Sequence, residues 1–256
     1  MISRLTQQYP RYAFVIETAF EFASNAHHGQ VRKYTGEPYI NHPVEVAHIV
    51  ASAGGTHQMV CAALLHDVIE DCGVTQKELS RLFDDNIVHM VVDLTDISKP
   101  SDGNREARKG IDRYNLSKAW PESKTVKLAD LISNTSTIAK HDPEFAKTYM
   151  KEKALLLEVL GAGDRELLNR CKSILSDWKA NTNSPNSMID AALDSVLKAS
   201  GSALKHYTTQ KMLDEMREAM RKIHSDAYIM GSNDCEKSIR STYNLTAKAR
   251  QGVGSW

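Results

Sequence analysis

The sequence predicts an all-α fold. Apolar residues recur at spacings of three and four, no convincing period-two alternation interrupts them, and all seven prolines fall between those periodic segments or in their first turns. Taken in order, the first helix is expected over 11–27, directly after Pro10, and Pro38 then lies in the connection to a second, 43–53, which opens on Pro43. A third is expected over 57–71, where Ala62 to Leu65 form an apolar run. The fourth, 75–83, has a capping-box pattern, Thr75 followed three residues on by Glu78. Helices over 85–95 and 104–119 flank Pro100, and one over 123–140 follows Pro121. In the next, 143–160, Asp142 directly precedes Pro143 and Glu144, a helix-opening arrangement. A last helix, 164–180, precedes the loop-forming stretch Asn181 to Ser187. That stretch divides residues 1–180 from a C-terminal helical extension, 181–256, of unknown role. In the extension Met212, Leu213, Met216, Met220 and Ile223 form a helical stripe suited to docking, including docking on a second copy of the chain.

Composition narrows the function. Thirty-two basic residues balance thirty-two acidic ones, so no overall attraction to nucleic acid or anionic membrane is expected, and any phosphate chemistry must come from a local cluster. The cysteines, Cys61, Cys72, Cys171 and Cys235, include no C-x-x-C pair, which argues against a disulfide framework or a thiolate zinc site and fits a reducing cytoplasm. No run of eighteen apolar residues occurs, and charges interrupt the apolar part of the N-terminus, so neither a spanning helix nor a signal peptide is expected.

The stretch CAALLHDVIEDC, Cys61 to Cys72, breaks its own apolar pattern. On a continuous helix His66 would sit over Glu70 and Asp67 over Asp71, crowding an imidazole and three carboxyls at one end of a buried segment. Burying such groups unpaired is costly, and a divalent cation is the simplest compensation, with His and carboxylate as its natural ligands. A His-Asp dipeptide alone is a weak signal; the second one, His141-Asp142, reads as a helix start. The first has company in His42 of EPYINHP and Asp130 of VKLADLIS. Asp130 stands among Val126, Leu128, Ala129, Leu131 and Ile132, a carboxylate in apolar surroundings that needs a partner, and Asn134 lies one turn beyond it.

The ordered set AHHGQVRKYTGEPYINHP, LLHDVIED, NREARK and VKLADLISNT resembles the HD-domain hydrolases of the RelA/SpoT type, in particular the small stand-alone alarmone hydrolases without a synthetase domain. The resemblance covers residues 10–160 and implies an HD-domain helical bundle. It implies that His42, His66, Asp67 and Asp130 hold a metal, commonly manganese, and that Glu70 and Asp71 act in hydrolysis. It places Arg32, Lys33, Arg105, Arg108, Lys109 and Asn134 on the nucleotide side. After Pro143 the pattern departs from small family members, which offer an Arg and a Tyr one turn apart; here Tyr149 comes with Lys147.

The activity so implied is removal of the 3′-pyrophosphate of guanosine tetra- or pentaphosphate by a metal-activated water, Glu70 and Asp71 orienting the water and exchanging its proton. Arg32, Lys33 and the Arg105 group would neutralise phosphate oxygens. Two imidazoles and two carboxylates suit manganese, iron or zinc. Tyr34, Tyr39 and Tyr149 are the candidate aromatic contacts for a base. HD sites also act on NADPH, deoxynucleotides or cyclic dinucleotides. A non-catalytic alarmone-binding protein and an adaptor assembled through its C-terminal helices are the competing classes.

Overall fold

The structure, a computed structural model, describes residues 1–182 and, beyond them, Glu218 alone. Among these the chain is helical throughout: α1 Ser3–Gln8, α2 Ala13–Ala26, α3 Asn41–Ser52, α4 His57–Leu65, α5 Val68–Cys72, α6 Gln76–Leu79, α7 Asp85–Leu94, α8 Arg105–Ser117, α9 Pro121–His141, α10 Pro143–Val159 and α11 Arg165–Thr182. One isolated antiparallel bridge, Val31 to Pro38, is the sole β element among the described residues. None of these helices is long and apolar enough to cross a membrane. The chain divides into two compact units, Met1–Leu175 and Ser176–Trp256. The expected Met212 to Ile223 stripe lies outside the described residues.

The centre of the first unit is α4. Every residue from Met59 to Leu65 is buried, and α2, α3, α7 and α9 pack around it. A fully buried leucine such as Leu64 or Leu65 contributes about 1.5–3 kcal/mol, which is why this short helix can anchor four others. Its start is fixed by Thr56, whose hydroxyl accepts from the Met59 N–H at 3.3 Å. Around it, α9 is placed by Asp93 of α7, which accepts from the Trp120 N–H at 3.0 Å and the Ser123 hydroxyl at 2.7 Å. The Lys124 ammonium, buried on α9, donates to the Ser117 carbonyl at 2.7 Å and closes the end of α8.

Most expected helices form within a few residues of their predicted ends; the one expected over 75–83 is cut to the four residues of α6, and there are two further differences. The helix expected over 57–71 is interrupted at His66 and Asp67, so α4 and α5 are separate. His66 Nδ1 donates to the Ala63 carbonyl at 2.8 Å, the acceptor an unbroken helix would offer the Asp67 N–H, and this side-chain competition opens the ladder. A further short helix, α1, lies before the expected first one. Its single buried residue, Leu5, gives no apolar period to read, and the segment is tied down by Gln8 donating to the Ala51 carbonyl and Tyr9 to the Gly55 carbonyl. The expected caps are present: Thr75 and Glu78 exchange bonds at the start of α6, and Asp142 accepts from the Phe145 N–H at the start of α10.

Candidate metal centre

Three elements meet at the open end of α4. The first turn of α3 brings His42, the α4–α5 junction brings His66 and Asp67, and the buried middle of α9 brings Asp130. His42, His66 and Asp67 each offer a donor atom within 4.8 Å of the others. Asp130 Oδ1 stands 3.2 Å from His42 Nε2 and 3.9 Å from His66 Nε2, and Asp67 Oδ2 lies 3.8 and 3.0 Å from the same two nitrogens. Of the four residues read as ligands from the sequence, His42, His66 and Asp67 thus form one close donor set, and Asp130 stands beside it at the two imidazoles.

Both imidazoles are oriented from behind. His42 Nδ1 lies 2.9 Å from the Ser133 hydroxyl, which itself donates to Glu45 Oε2 at 2.7 Å, so Ser133 accepts the Nδ1 proton. His66 Nδ1 is committed to the Ala63 carbonyl. Each ring therefore presents Nε2 to the carboxylates, the arrangement that metal-binding histidines adopt. His66 Nε2 is buried and, despite its nearness to Asp67, lacks a hydrogen bond of proper direction. A buried ring nitrogen of this kind, beside a second imidazole and two carboxylates, fits a divalent transition-metal cation.

The electrostatics agree. Burial alone would lower the His66 pKa, but Asp67 and then Asp130 push it up to about 9. Burial would raise the Asp67 carboxyl and His66 instead holds it well below the carboxylate range. Asp130 is likewise depressed against its burial, first by Lys127, whose Nζ lies 2.9 Å from Oδ2. Without an ion the cluster balances its charge with protons and one lysine; a divalent cation would replace the protons.

Glu70 and Asp71 sit on α5, beyond the junction and exposed at the rim. Gly73, at φ +69°, ends α5 in the left-handed conformation that favours glycine and turns the chain away behind them. Glu70 Oε2 accepts from the Asp96 N–H at 3.4 Å. Partial desolvation raises both carboxyls, helped by Asp96 beside Glu70 and by Asp67 beside Asp71.

The loop before α3 folds back on itself through Gly36 (φ +71°) and delivers Arg32, whose guanidinium donates to Asn134 Oδ1 at 3.2 Å, while Asn134 donates to Asp130 Oδ1 at 2.6 Å. A cavity of about 150 Å³ adjoins the centre, lined by Asp130, Asn134, Lys127, Arg105, Lys109 and Tyr149 among others. Arg105 is paired with Glu152 at 2.6 Å and Lys109 with Asp96 at 2.5 Å. Arg108 does not line the cavity, and its Nε is buried without a hydrogen-bond partner among the described residues. Lys33 is exposed beside Asp142 and Tyr34, and Lys147 is exposed beside Glu144, outside the cavity wall. Of the aromatic candidates, Tyr39 gives its hydroxyl to Asp67 at 2.8 Å and stacks on His27, and Tyr34 donates to Asp142. Lys127, Ser133 and Glu45 escape the sequence reading. Lys127 and Ser133 lie three residues to either side of Asp130, a spacing that signals a shared helix face, but nothing in the sequence ties Glu45 to Ser133.

Comparison with known proteins places this geometry. The chain is 29% identical over 232 residues to a guanosine-3′,5′-bis(diphosphate) 3′-pyrophosphohydrolase of Aquifex aeolicus, covering 89% of this chain and 32% of the relative. A protein of the same description from Vibrio cholerae is 29% identical, with 90% and 32% covered. A probable GTP pyrophosphokinase of Mycobacterium leprae is 35% identical over 131 residues, with 51% and 16% covered. The chain thus spans a third or less of the length of these relatives. Among solved structures, a metazoan ortholog of SpoT that hydrolyses ppGpp superposes with a TM-score of 0.58 at 23% identity, covering 64% of this chain and 94% of that one, which shows a shared fold. The family model described as the HD domain matches residues 19–162, more than half of the chain, and this chain belongs to the HD domain family.

Proposed function

We propose that the chain hydrolyses guanosine tetra- and pentaphosphate, releasing the 3′-pyrophosphate, with a divalent cation, manganese in the first place, held by His42, His66, Asp67 and Asp130. The observation that carries this reading is the mutually close donor set of His42, His66 and Asp67, with Asp130 beside the two imidazoles and both rings locked to present Nε2. A bound cation supplies an acidified water and a positive charge toward a phosphoryl oxygen. The chain's own residues do the rest. Glu70 and Asp71 stand at the open side of the centre with carboxyl groups raised toward the range useful for moving a proton near neutrality. At the centre's edge the Arg32 guanidinium can turn from the Asn134 oxygen to phosphate oxygens, and the Asn134 amide N–H can turn to them from Asp130. The charges of Lys127, Lys109 and Arg105 along the cavity offset those that build up on a phosphate leaving group.

The names borne by the relatives support guanosine tetraphosphate over other HD substrates. The deciding experiment is product analysis after incubating manganese-loaded protein with guanosine tetraphosphate, NADPH and a deoxynucleotide panel. Release of GDP and pyrophosphate from the first is expected; turnover confined to another substrate would keep the chemistry and reject the substrate.

A further inference from the structure

The cavity contains a side chain that the chemistry above does not use. Lys153, on α10, lines the cavity yet has no solvent-exposed surface. Its Nζ has one hydrogen-bond partner among the described residues, the Thr135 hydroxyl at 2.9 Å, whose own proton goes to the Leu131 carbonyl. An ammonium has three N–H donors, so two are left without acceptors. Around the same cavity Lys109, Arg105 and Lys127 each have a carboxylate, in Asp96, Glu152 and Asp130, whereas no carboxylate among the described residues lies within ion-pair distance of Lys153. One turn earlier on the same helix Tyr149 also lines the cavity, and its buried hydroxyl lies beside Thr135 without a hydrogen bond of normal geometry among the described residues. Burial pulls the Lys153 pKa down, the direction expected of an ammonium that lacks a counter-charge.

Lysine is almost never fully buried unless paired, because its desolvation must be offset by an anion. What the site lacks is therefore negative charge together with acceptor atoms: two for Lys153 and one for Tyr149. A phosphoryl group supplies both. A neutral base edge would meet the acceptor requirement and leave the charge uncompensated. Size points the same way, since about 150 Å³ is well below the several hundred Å³ of a pocket for a whole ligand and suits one end of it. The same cavity is lined by Asp130 and Asn134, at the metal centre.

Resting on the hydrolase reading above, we propose that Lys153, with Tyr149, binds a second phosphoryl group of the substrate, separate from the one cleaved, and so selects nucleotides phosphorylated at two positions. Manganese-loaded Lys153→Met and wild type are compared on guanosine tetraphosphate and on guanosine 3′-diphosphate with a free 5′-hydroxyl. The tetraphosphate KM should rise about tenfold or more in the variant with kcat nearly unchanged, the loss of a charge-assisted contact, while the 5′-hydroxyl substrate is indifferent. In EDTA, inorganic pyrophosphate should raise the melting temperature of wild type and not of Lys153→Met, and the ligand-free variant should melt no lower than wild type, since it has lost an unpaired buried charge. Equal losses on both substrates, or equal stabilisation by pyrophosphate, would overturn the assignment. If Lys153→Met does not fold, Tyr149→Phe decides by the same pair of substrates, with a smaller KM increase confined to the tetraphosphate. If wild type turns over neither nucleotide, the hydrolase reading falls, and the pyrophosphate melting comparison alone decides on Lys153.

Discussion

Ser133 joins His42 to Glu45: its hydroxyl takes the His42 Nδ1 proton at 2.9 Å and gives its own to Glu45 Oε2 at 2.7 Å. Replacing Ser133 by Ala frees the ring to adopt the other tautomer and leaves a buried N–H unpaired, at about 1–3 kcal/mol. The expected result is a 10- to 100-fold loss of metal affinity, the usual effect of removing such a support. Glu45→Gln, at an exposed position, should have a smaller effect. Titration of manganese into metal-free protein checks both.

The ligand carboxylates differ in what they leave behind. Asp67→Ala and Asp130→Ala should each abolish tight metal binding and turnover. Asp130→Ala strands the part-buried Lys127, whose ion-pair partner it is at 2.9 Å, whereas Asp67→Ala strands the charged His66 ring, which can shed its proton. Breaking a buried pair by removing one member costs about 3–5 kcal/mol, so metal-free Asp130→Ala should melt roughly 10 °C below wild type. Asp67→Ala should lose less, because it withdraws the support of the charged His66 ring but that ring can deprotonate, which Lys127 cannot do near neutrality. The double variant Lys127→Met/Asp130→Ala should recover most of the difference, and thermal melts in EDTA would show whether it does.

Glu70 is the group expected to separate binding from chemistry. Glu70→Gln should keep metal affinity and lower kcat by about 10²–10⁴-fold, the range for a lost general acid or base. Its carboxyl is raised by desolvation and by Asp96, so wild-type activity should fall on acidification at a pH above the ordinary glutamate range. Asp96→Asn keeps the backbone N–H that Glu70 accepts and removes the neighbouring charge, so the acid limb should move to lower pH. A limb that stays put in Asp96→Asn would show that Glu70 does not set it.

Much of this architecture was legible in the sequence, for definite reasons. Proline exclusion and the apolar period located α7, α9 and α10, and the Thr75–Glu78 and Asp142–Pro143 signals located the starts of α6 and α10, because capping is local chemistry. Buried Asp130 could be suspected from its apolar neighbours alone. The helix break at His66 could not, because it follows from a side-chain bond to Ala63 that competes with an otherwise strong helix pattern. Charge pairing was equally hidden: the family resemblance put Arg105 and Lys109 on the nucleotide side, but their carboxylate partners, Glu152 and Asp96, come from α10 and the α7–α8 connection. The isolation of Lys153 is a tertiary fact, since nothing in KEKALLL distinguishes a buried lysine from a solvated one.

The coupling between protons and metal gives a last test, and its sign follows from His66. Its pKa in the metal-free fold is about 9, above the value near 6.5 expected when unfolded. The stabilisation carried by the charged ring is therefore full below about pH 6.5 and is lost as pH rises through 9, so metal-free protein should become less stable across that window by of order 3 kcal/mol. Metal binding runs the other way, because a cation needs the lone pair that the proton occupies. Apparent affinity should climb with pH up to about 9, and binding at pH 7 should release a proton, seen as a dependence of calorimetric heat on the ionisation enthalpy of the buffer. His66→Gln should flatten the stability change between pH 6.5 and 9 and remove that proton release. A metal-free stability profile that rises over this range in wild type would mean that His66 is not the charged member of the cluster.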